Sequence, residues 1–319
     1  MPPSLDANPH DDHLEGKFSL YSMGKLEALL GTSRLRLKLI AEKAGAYYRP
    51  FPKRDRLRPF QKQFKATKKP PRIIDNPEGE LKNLQSKINT EILKPLAFPN
   101  YLCGGIPGKT VLDNVLIHLG APVLVTLDIK SFFRRITNSQ VYRVWRDLLK
   151  CSPKIAATLT RLTTFERHLP QGAPTSSLLA NLVLFSVDEE IRAECARLGV
   201  TYSTWVDDLA FSGRDAQAVI DVAIQCLRRA GFSVSHRKLK RMGPGTRKLL
   251  NGVVLNRFPG VLKERLSRLR SGIHKLKNGE VSPQERETYV RRLQGGISYV
   301  SSIEPRKAAK LREELESVL

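Results

Sequence analysis

Residues 201–213 read TYSTWVDDLAFSG, and two adjacent carboxylates, Asp207 and Asp208, interrupt an otherwise apolar, aromatic and β-branched run. Such a run is typical of a β-hairpin, with the acidic pair at its tip. Neighbouring carboxylates repel each other, and burying them between strands is costly unless a cation neutralises them. The pattern therefore allows two interpretations, a solvated Asp-Asp turn or an oxygen-ligand site of the kind that suits Mg²⁺.

A third carboxylate ends the apolar segment 123–128, VLVTLD, which is typical of a buried strand. Two aromatic residues follow it at positions 132 and 133, and packing alone does not explain that arrangement. If this strand pairs beside the hairpin, Asp128 lies close to Asp207 and Asp208, because neighbouring strands are ~4.8 Å apart. Such a cluster can hold two Mg²⁺ ions and catalyse in-line phosphoryl transfer.

The charge of the chain indicates the kind of partner. Its 319 residues include 54 Lys+Arg against 31 Asp+Glu, a formal net charge of +23, and 41% of them are hydrophobic. That composition is typical of a folded globular protein, but so large a positive excess destabilises the compact state by self-repulsion. We therefore expect a polyanionic partner, with nucleic acid as the first candidate and a membrane surface as the second.

Several features predict a cytoplasmic protein that does not enter a membrane. No apolar run approaches the ~20 residues that a membrane-spanning helix needs. Residues 1–13 are polar and do not resemble a signal peptide. The cysteines lack the paired spacing of zinc ligands or of a disulfide framework, so we expect reduced, buried thiols at Cys103, Cys151, Cys195 and Cys226.

Two further segments suit phosphate groups. Residues 47–79 predict a β-hairpin whose basic loop contains Lys69 and ends at Arg72, followed by a turn at 75–79. Residues 169–177, LPQGAPTSS, predict a loop in which the threonine and serines cap a long helix, a good place for a phosphate or a base. The alternatives are a solvated basic loop and an ordinary helix entry.

The stretch GGIPGKT at residues 104–110 is not a phosphate-binding P-loop, because Cys103 stands where that motif needs its first glycine. The remaining segments predict helices and short strands. We expect helices over 20–46 with a break at 31–33, 80–96, 111–118, 130–149, 153–165, 178–198, 216–230 and from 263 onward, and strands over 231–234 and 248–256, with a basic run at 236–241 between them.

Taken in order over residues 47–300, these segments resemble the motifs of prokaryotic reverse transcriptases, most closely those of the retron type. The matching motifs are a basic segment ending at Arg72, then residues 114–118 (NVLIH), 127–133 (LDIKSFF), 170–176 (PQGAPTS), 205–208 (WVDD), 231–232 (GF) with Lys238, and 250–252 (LNG). Each motif is weak alone, but their common order and spacing are specific.

The resemblance implies a role for each matching residue. Asp128, Asp207 and Asp208 match the catalytic triad that binds two Mg²⁺ ions, with Mn²⁺ as an alternative ion. Phe133 matches the aromatic gate that blocks a ribose 2′-hydroxyl, which implies deoxynucleotide substrates. The residues matching positions that hold the incoming nucleotide or the leaving pyrophosphate are Lys69, Arg72, Gln171, Gly172 and Lys238. The residues matching RNA-binding positions are Asn114, His118, Arg265 and Arg268.

The chain departs from the family pattern at two motifs. Trp205-Val206 replaces the usual Tyr-Ala before the aspartates, which predicts activity with altered speed or fidelity because the metal ligands are intact. Residues 250–252 read Leu-Asn-Gly where retron enzymes typically have Val-Thr-Gly, whereas residues 114–118 nearly match their Asn-Ala-x-x-His element. The second departure indicates either a divergent cognate RNA or another bacterial reverse transcriptase group.

The fold implied by the resemblance is α+β, a right-hand polymerase with fingers over residues 1–110, an antiparallel-sheet palm over 111–256 and a helical, basic thumb over 257–319. The implied function is copying part of a cognate structured non-coding RNA into short single-stranded DNA (msDNA) from dNTPs. The family also implies a role in anti-phage defence with an accessory effector protein.

Two alternatives stay open at the level of the sequence. One is another bacterial reverse transcriptase group, of the abortive-infection, CRISPR-associated or intron-derived kind. The other is a catalytically idle RNA-binding protein of the same fold. Loss of an acid would favour the idle protein, and all three acids are present.

Overall fold

The computed structural model describes residues 20–53 and 71–319 of the chain. Its helices are α1 Met23–Leu30, α2 Arg34–Glu42, α3 Gly79–Ile88, α4 Val111–Ile117, α5 Phe132–Arg135, α6 Asn138–Arg143, α7 Pro153–Thr163, α8 Ser176–Phe185, α9 Glu189–Arg197, α10 Val219–Arg229, α11 Lys263–Lys277, α12 Pro283–Ser301 and α13 Pro305–Glu316. Its strands are β1 Tyr48–Lys53, β2 Arg72–Pro77, β3 Leu124–Asp128, β4 Thr201–Trp205, β5 Asp208–Ser212, β6 Lys240–Met242, β7 Leu249–Leu250, β8 Val253–Val254 and β9 Gly260–Val261.

The N-terminal helices lead into the predicted β-hairpin. Gly31 ends α1 in the left-handed conformation, which confirms the predicted break between two helices. β1 and β2 pair along their whole length in an antiparallel ladder. The predicted turn at 75–79 is wrong, because β2 continues to Pro77 and the backbone of Asp75 bonds to Gln171. The basic loop between the two strands, with Lys69, lies outside the described residues.

The centre of the fold is a four-stranded antiparallel sheet in the order β4-β5-β3-β6. β4 and β5 form the predicted hairpin, and β5 pairs with β3, so the predicted pairing of the 123–128 strand beside the hairpin is confirmed. β3 is buried except at Thr126, which explains its nearly continuous apolar sequence.

The two edges of this sheet differ from the prediction. The predicted strand over 231–234 is wrong, because only Val234 forms an isolated bridge, to Ile129. The edge strand is β6, within the last part of the basic run. At the other edge Leu102 bridges Thr204 of β4 in parallel, so the glycine-rich stretch covers backbone groups that would otherwise be unpaired.

Two predicted helices are divided. Residues 130–149 form α5, α6 and a π-helical turn, and residues 178–198 form α8 and α9. The second division lies at Asp188, which is completely buried and accepts hydrogen bonds from the hydroxyls of Tyr101 and Tyr202. Burial raises the pKa of Asp188 to about 7, although Arg192 pairs with it at 3.1 Å and opposes that rise.

The C-terminal helices pack on a small separate sheet. Residues 248–256, predicted as one strand, form β7 and β8, joined by a turn at Asn251 and Gly252 with φ of 47° and 84°. The helices α11–α13 share an apolar cluster with this sheet and with Leu124 and Ala210 of the central sheet. The C-terminal helices therefore share one apolar cluster with the strands that carry the acids, and the proposed domain boundaries stay predictions.

The cysteines and the helices of the described ranges bear on two general expectations. All four cysteines are free and buried, which confirms the predicted thiols. Within residues 20–53 and 71–319, no helix has both the length and the apolar character needed to cross a membrane.

Candidate active site

The acidic hairpin ends in a tight two-residue turn made by Val206 and Asp207. Trp205 faces Asp208 in register, so Asp208 is the first residue of β5 rather than part of the tip. Val206 adopts φ of 60°, a conformation that is rare and strained for a β-branched residue. The carbonyl of Asp207 accepts a hydrogen bond from the backbone N–H of Ile129 at 2.8 Å, which ties the turn to the end of β3. The turn is therefore anchored within the sheet.

The three acids meet at the ends of β3 and β5. Asp128 is 4% exposed and lies opposite Asp208 in the antiparallel register. Burial, reinforced by the charges of Asp207 and Asp128, raises the pKa of Asp208 to about 6. Burial also raises the pKa of Asp207, with a contribution from Asp128, while Lys238 and Arg72 oppose the rise. The structure thus brings these acids together with two of the predicted cationic residues.

Lys238 is in direct contact with this cluster. Its Nζ donates a hydrogen bond to Oδ2 of Asp128 at 2.5 Å, from a position that is half exposed. The backbone N–H of Ser235 donates to the carbonyl of Asp128, and the 3₁₀ turn His236–Lys238 begins at the next residue. This bond holds the turn, and with it Lys238, beside Asp128. The ammonium group therefore compensates part of the negative charge that burial makes costly.

The donor chemistry of the cluster fits a hard divalent cation. Carboxylate oxygens are the ligands that Mg²⁺ and Mn²⁺ favour. The pKa values of Asp207 and Asp208 are raised by burial first and by the neighbouring acids second, and a cation would offset both effects. Among the described residues, no group of three or more His, Cys, Asp or Glu side chains already has the spacing of metal ligands. The acids therefore fit a divalent ion in the chemistry of their donor atoms.

Phe133 lies on the short helix that begins just after β3. Ser131, at φ of 54°, turns the chain out of the strand, and Lys130 is fixed by a hydrogen bond from its backbone N–H to Ser233 at 2.8 Å. Phe132 points into the core and packs edge-on against Phe232 with ring centroids 5.3 Å apart. The ring of Phe133 remains half buried beside it, with centroids 6.0 Å apart.

Gln171 and Gly172 lie against the fingers strand β2. The backbone of Asp75 donates to the carbonyl of Gln171 at 2.9 Å, and the backbone N–H of Gln171 donates to Oδ2 of Asp75 at 3.2 Å. Gly172 has φ of 117°, and a Cβ there would lie 2.7 Å from the side chain of Ile74. Arg72, at the exposed start of the same strand, is therefore held in one unit with this loop, whereas Lys69 lies outside the described residues.

The predicted cap of the following helix is wrong. Thr175 occupies the N-cap of α8 but its side chain makes no capping hydrogen bond. Within the described part of the chain, the hydroxyl oxygens of Thr175 and Ser176 are buried without a hydrogen-bond partner. This helix therefore begins without the side-chain cap that its threonine and serines suggested.

Asn114 and His118 are buried under the acidic hairpin, each 1% exposed. The ring of His118 lies 2.7 Å from the hydroxyl of Ser203 on β4 and 2.7 Å from that of Ser212 on β5. Ser203 donates to Asn114 at 2.6 Å, and Asn114 donates to Asn251 at 2.6 Å. Direct contact of these two side chains with RNA would require this network to open, and their role in binding RNA stays a prediction.

The predicted thumb arginines lie on the first turns of α11. The guanidinium of Arg265 stacks 4.0 Å above the ring of Tyr299 on α12, while Arg268 is exposed and donates to the carbonyl of Glu264. Their role in binding RNA stays a prediction.

Sequence reasoning missed several residues that hold the site together. Gly104 packs on the acidic turn so closely that a Cβ would lie 2.5 Å from the backbone nitrogen of Val206. Asn181 donates to the carbonyl of Gly104 at 2.7 Å from the buried helix α8. The Gly-Gly pair at 104–105 was the available signal, but a glycine run does not reveal what approaches it. The partner Asn251 lies 137 positions from Asn114 and left no local pattern.

These features, an antiparallel sheet whose acids converge near Arg72 and Lys238, are typical of a nucleotidyl-transfer site. Residues 52–270 match the family model described as reverse transcriptase (RNA-dependent DNA polymerase). This range is more than half of the chain, and the chain belongs to that family, with its right-hand polymerase fold. Reverse transcriptases generally use divalent metal ions.

The relatives of the chain in sequence are of the retron type, which confirms the resemblance drawn from the motifs. It is 31% identical over 191 residues to the retron Se72 reverse transcriptase of Salmonella heidelberg, covering 60% of this chain and 48% of that protein. It is 26% identical over 260 residues to the retron Ec86 reverse transcriptase of Escherichia coli, covering 80% of this chain and 79% of that protein. It is 29% identical over 260 residues to the retron Mx65 reverse transcriptase of Myxococcus xanthus, covering 75% of this chain and 60% of that protein. The match spans about half the length of the Se72 protein.

Solved structures give weaker likenesses. An apo telomerase from Candida tropicalis, truncated from the C-terminal domain, has a TM-score of 0.42 at 11% identity, over 57% of this chain and 44% of that chain. A foamy viral protease-reverse transcriptase in complex with double-stranded DNA has a TM-score of 0.39 at 17% identity, over 62% of this chain and 31% of that chain.

Proposed function

We propose that this chain is an RNA-directed DNA polymerase of the retron type, which extends a primer with dNTPs on an RNA template. The observation that carries the proposal is the pairing of Asp128 with Asp208 across β3 and β5, with Asp207 in the adjoining turn. Family membership over residues 52–270 and the retron-type relatives support it independently.

Asp128, Asp207 and Asp208 would hold the divalent ions, Mg²⁺ in the first place and Mn²⁺ as an alternative. When bound, such ions supply Lewis acidity for in-line phosphoryl transfer and neutralise charge on the departing pyrophosphate. The bond that forms joins the primer 3′-oxygen to the α-phosphorus, and the bond that breaks releases pyrophosphate. The primer hydroxyl would give up its proton to water as the new bond forms.

The cationic residues would bind the triphosphate. Arg72 is exposed at the start of β2 and close enough to the acids to oppose the rise in the pKa of Asp207. Lys238 contacts Asp128 and would steady the pyrophosphate or donate a proton to it as it leaves. Lys69 is assigned to the same triphosphate by its motif alone.

The half-buried ring of Phe133 would close the site to ribonucleotides. It is carried on a four-residue helix whose other phenylalanine is fixed in the core, so the ring has a firm support. Gln171 and Gly172 would lie against the base and the template. Arg265 and Arg268 on α11 would grip the duplex behind the site.

The finer assignment concerns the template and the product. We propose that the template is a cognate structured non-coding RNA, that the product is msDNA, and that the enzyme acts in anti-phage defence with an accessory effector protein. The order of the motifs, the retron-type relatives and the net charge of +23 support this reading. Sequencing the RNA and DNA that copurify with the protein tests it directly, since a covalent RNA–DNA product is expected.

Primer extension tests the polymerase activity. The wild type should incorporate dNTPs in the presence of Mg²⁺, whereas the double variant Asp207→Asn/Asp208→Asn should lose incorporation. Asp215→Asn is the matched control, because Asp215 is exposed outside the sheet and belongs to none of the proposed contacts. Equal incorporation by the wild type and the double variant would remove the assignment of these acids.

A further inference from the structure

One carboxylate in the fingers is buried without a role in the scheme above. Asp75 lies on β2 three residues after Arg72 and is 1% exposed. A buried carboxylate is costly unless it is paired and hydrogen-bonded, so its partners indicate what it does. These partners belong to segments far from it in sequence.

The first partner segment is the loop that carries Gln171 and Gly172. Oδ2 of Asp75 accepts a hydrogen bond from the backbone N–H of Gln171 at 3.2 Å and lies 3.2 Å from Nε2 of His168. The backbone N–H of Asp75 donates to the carbonyl of Gln171 at 2.9 Å. The strand and the loop are thus joined by reciprocal bonds that resemble one rung of a sheet.

The second partner segment is the helix that carries Phe133. Oδ1 of Asp75 lies 3.6 Å from Nη2 of Arg134, the residue after that phenylalanine. The adjacent Arg135 turns away and donates to the carbonyl of Gly231 instead. One side chain therefore contacts both the Gln171 loop and the Phe133 helix, while its own strand begins with Arg72.

Packing makes the junction rigid. A Cβ on Gly172 would lie 2.7 Å from the side chain of Ile74, next to Asp75 on the strand, so the loop and the strand are in close contact. The ring of His168 is held on its other side, with Nδ1 3.3 Å from the carbonyl of Glu166 and the ring 6.1 Å from that of Phe165. A shift of the strand would therefore carry the loop with it.

We propose that Asp75 is a positioning residue of the nucleotide site, which fixes the elements carrying Arg72, Gln171 and Phe133 in one arrangement. The inference rests on the proposed polymerase function for its kinetic consequence, but the junction itself does not. Asp75 is buried and would not touch the nucleotide. Its effect would be on how well the triphosphate and the sugar are held.

Steady-state kinetics tests the consequence. Asp75→Asn keeps the shape but removes the charge that Arg134 and His168 face, so the KM for dNTP should rise about tenfold, equivalent to ~1.4 kcal/mol. The kcat and the KM for template–primer should stay within about twofold. Arg134→Gln should raise the KM for dNTP in the same direction, and the two changes together should be less than additive. Arg135→Gln is the matched control and should leave the KM unchanged.

Hydrogen exchange of the protein without substrates tests the junction. In Asp75→Asn the backbone amides of Asp75 and Gln171 should exchange faster, while amides of α11 should exchange as in the wild type. Unchanged exchange at both amides would overturn the junction whatever the activity. Faster exchange with an unchanged KM for dNTP would overturn the positioning role. A uniform fall of kcat with a lower unfolding midpoint would mark Asp75 as a general stabilising residue and also overturn it. Failure of the wild type to incorporate any dNTP would instead count against the proposed function.

Discussion

His118 offers a direct test of the buried network beneath the acidic hairpin. Its imidazole is 1% exposed and lies 2.7 Å from the hydroxyls of Ser203 and Ser212, and among the described residues both of its hydrogen-bond partners are uncharged. Burial lowers the pKa of His118 from 6.5 to about 4. The folded protein therefore keeps the imidazole of His118 in its neutral form.

The sign and the size of the effect on stability follow from linkage. Between pH 4 and 6.5 the unfolded chain binds a proton at this residue and the folded chain does not, so the free energy of unfolding falls as the pH is lowered. The full shift corresponds to about 3 kcal/mol at ~1.4 kcal/mol per pKa unit. Between pH 7.5 and pH 5 the loss attributable to His118 should be about 2 kcal/mol.

Reversible urea unfolding at the two pH values measures this loss. His118→Gln cannot titrate, so the variant should be less stable at pH 7.5 but should lose about 2 kcal/mol less than the wild type on acidification. His236→Gln is the matched control, because His236 is exposed and lies outside the buried network, so the loss assigned to His118 should persist in that variant. If the wild type and His118→Gln lose the same free energy between pH 7.5 and pH 5, the ring is not held neutral by burial and the account of the network is wrong.

Two further predictions concern the site itself. Phe133→Ala should reduce the discrimination between dNTPs and rNTPs by about one to two orders of magnitude, whereas Phe133→Tyr should retain it because the ring remains. Competition between dNTPs and rNTPs measures both variants, and unchanged selectivity in the alanine variant would contradict the role of Phe133 as a gate. Gly104→Ala places a Cβ 2.5 Å from the backbone of Val206 and should lower kcat about a hundredfold by displacing the acidic turn. Gly45→Ala should leave kcat unchanged, because a Cβ there meets no non-neighbouring atom of the described residues within 4 Å. Similar activity of the two alanine variants would show that the turn tolerates the shift.

The features that the sequence predicted well are those with a local signature. β3 and the hairpin are short apolar, β-branched runs, and each acid stands at the end of one of them. Once the strands pair, the antiparallel register places Asp128 opposite Asp208 without further information. The acidic cluster was therefore predictable from patterns within a few residues of each carboxylate.

The features that the sequence did not predict depend on distant partners. β6 is only three residues long and carries two cations, so it lacks an apolar pattern and exists because β3 offers it a free edge. Asp188 lies between the two helices that divide a predicted one, and its hydrogen-bond partners Tyr101 and Tyr202 are distant in the sequence. The sequence predicted a turn at Asp75 because its partners, His168 and Gln171, lie 93 and 96 positions away and leave no local pattern.

Both departures from the family pattern are matched by contacts elsewhere in this chain. Val206 is larger than the usual alanine and adopts φ of 60°. Gly104 leaves room for it, because a Cβ at position 104 would lie 2.7 Å from Cγ2 of Val206. Asn251, in place of the usual threonine, accepts a hydrogen bond from Asn114 at 2.6 Å. Since Asn114 in turn accepts from Ser203 on β4, the turn at the base of the thumb is linked to the strand that leads into the acidic turn. Substitution at either motif is therefore expected to act on the position of Asp207 and Asp208 as well as on RNA binding.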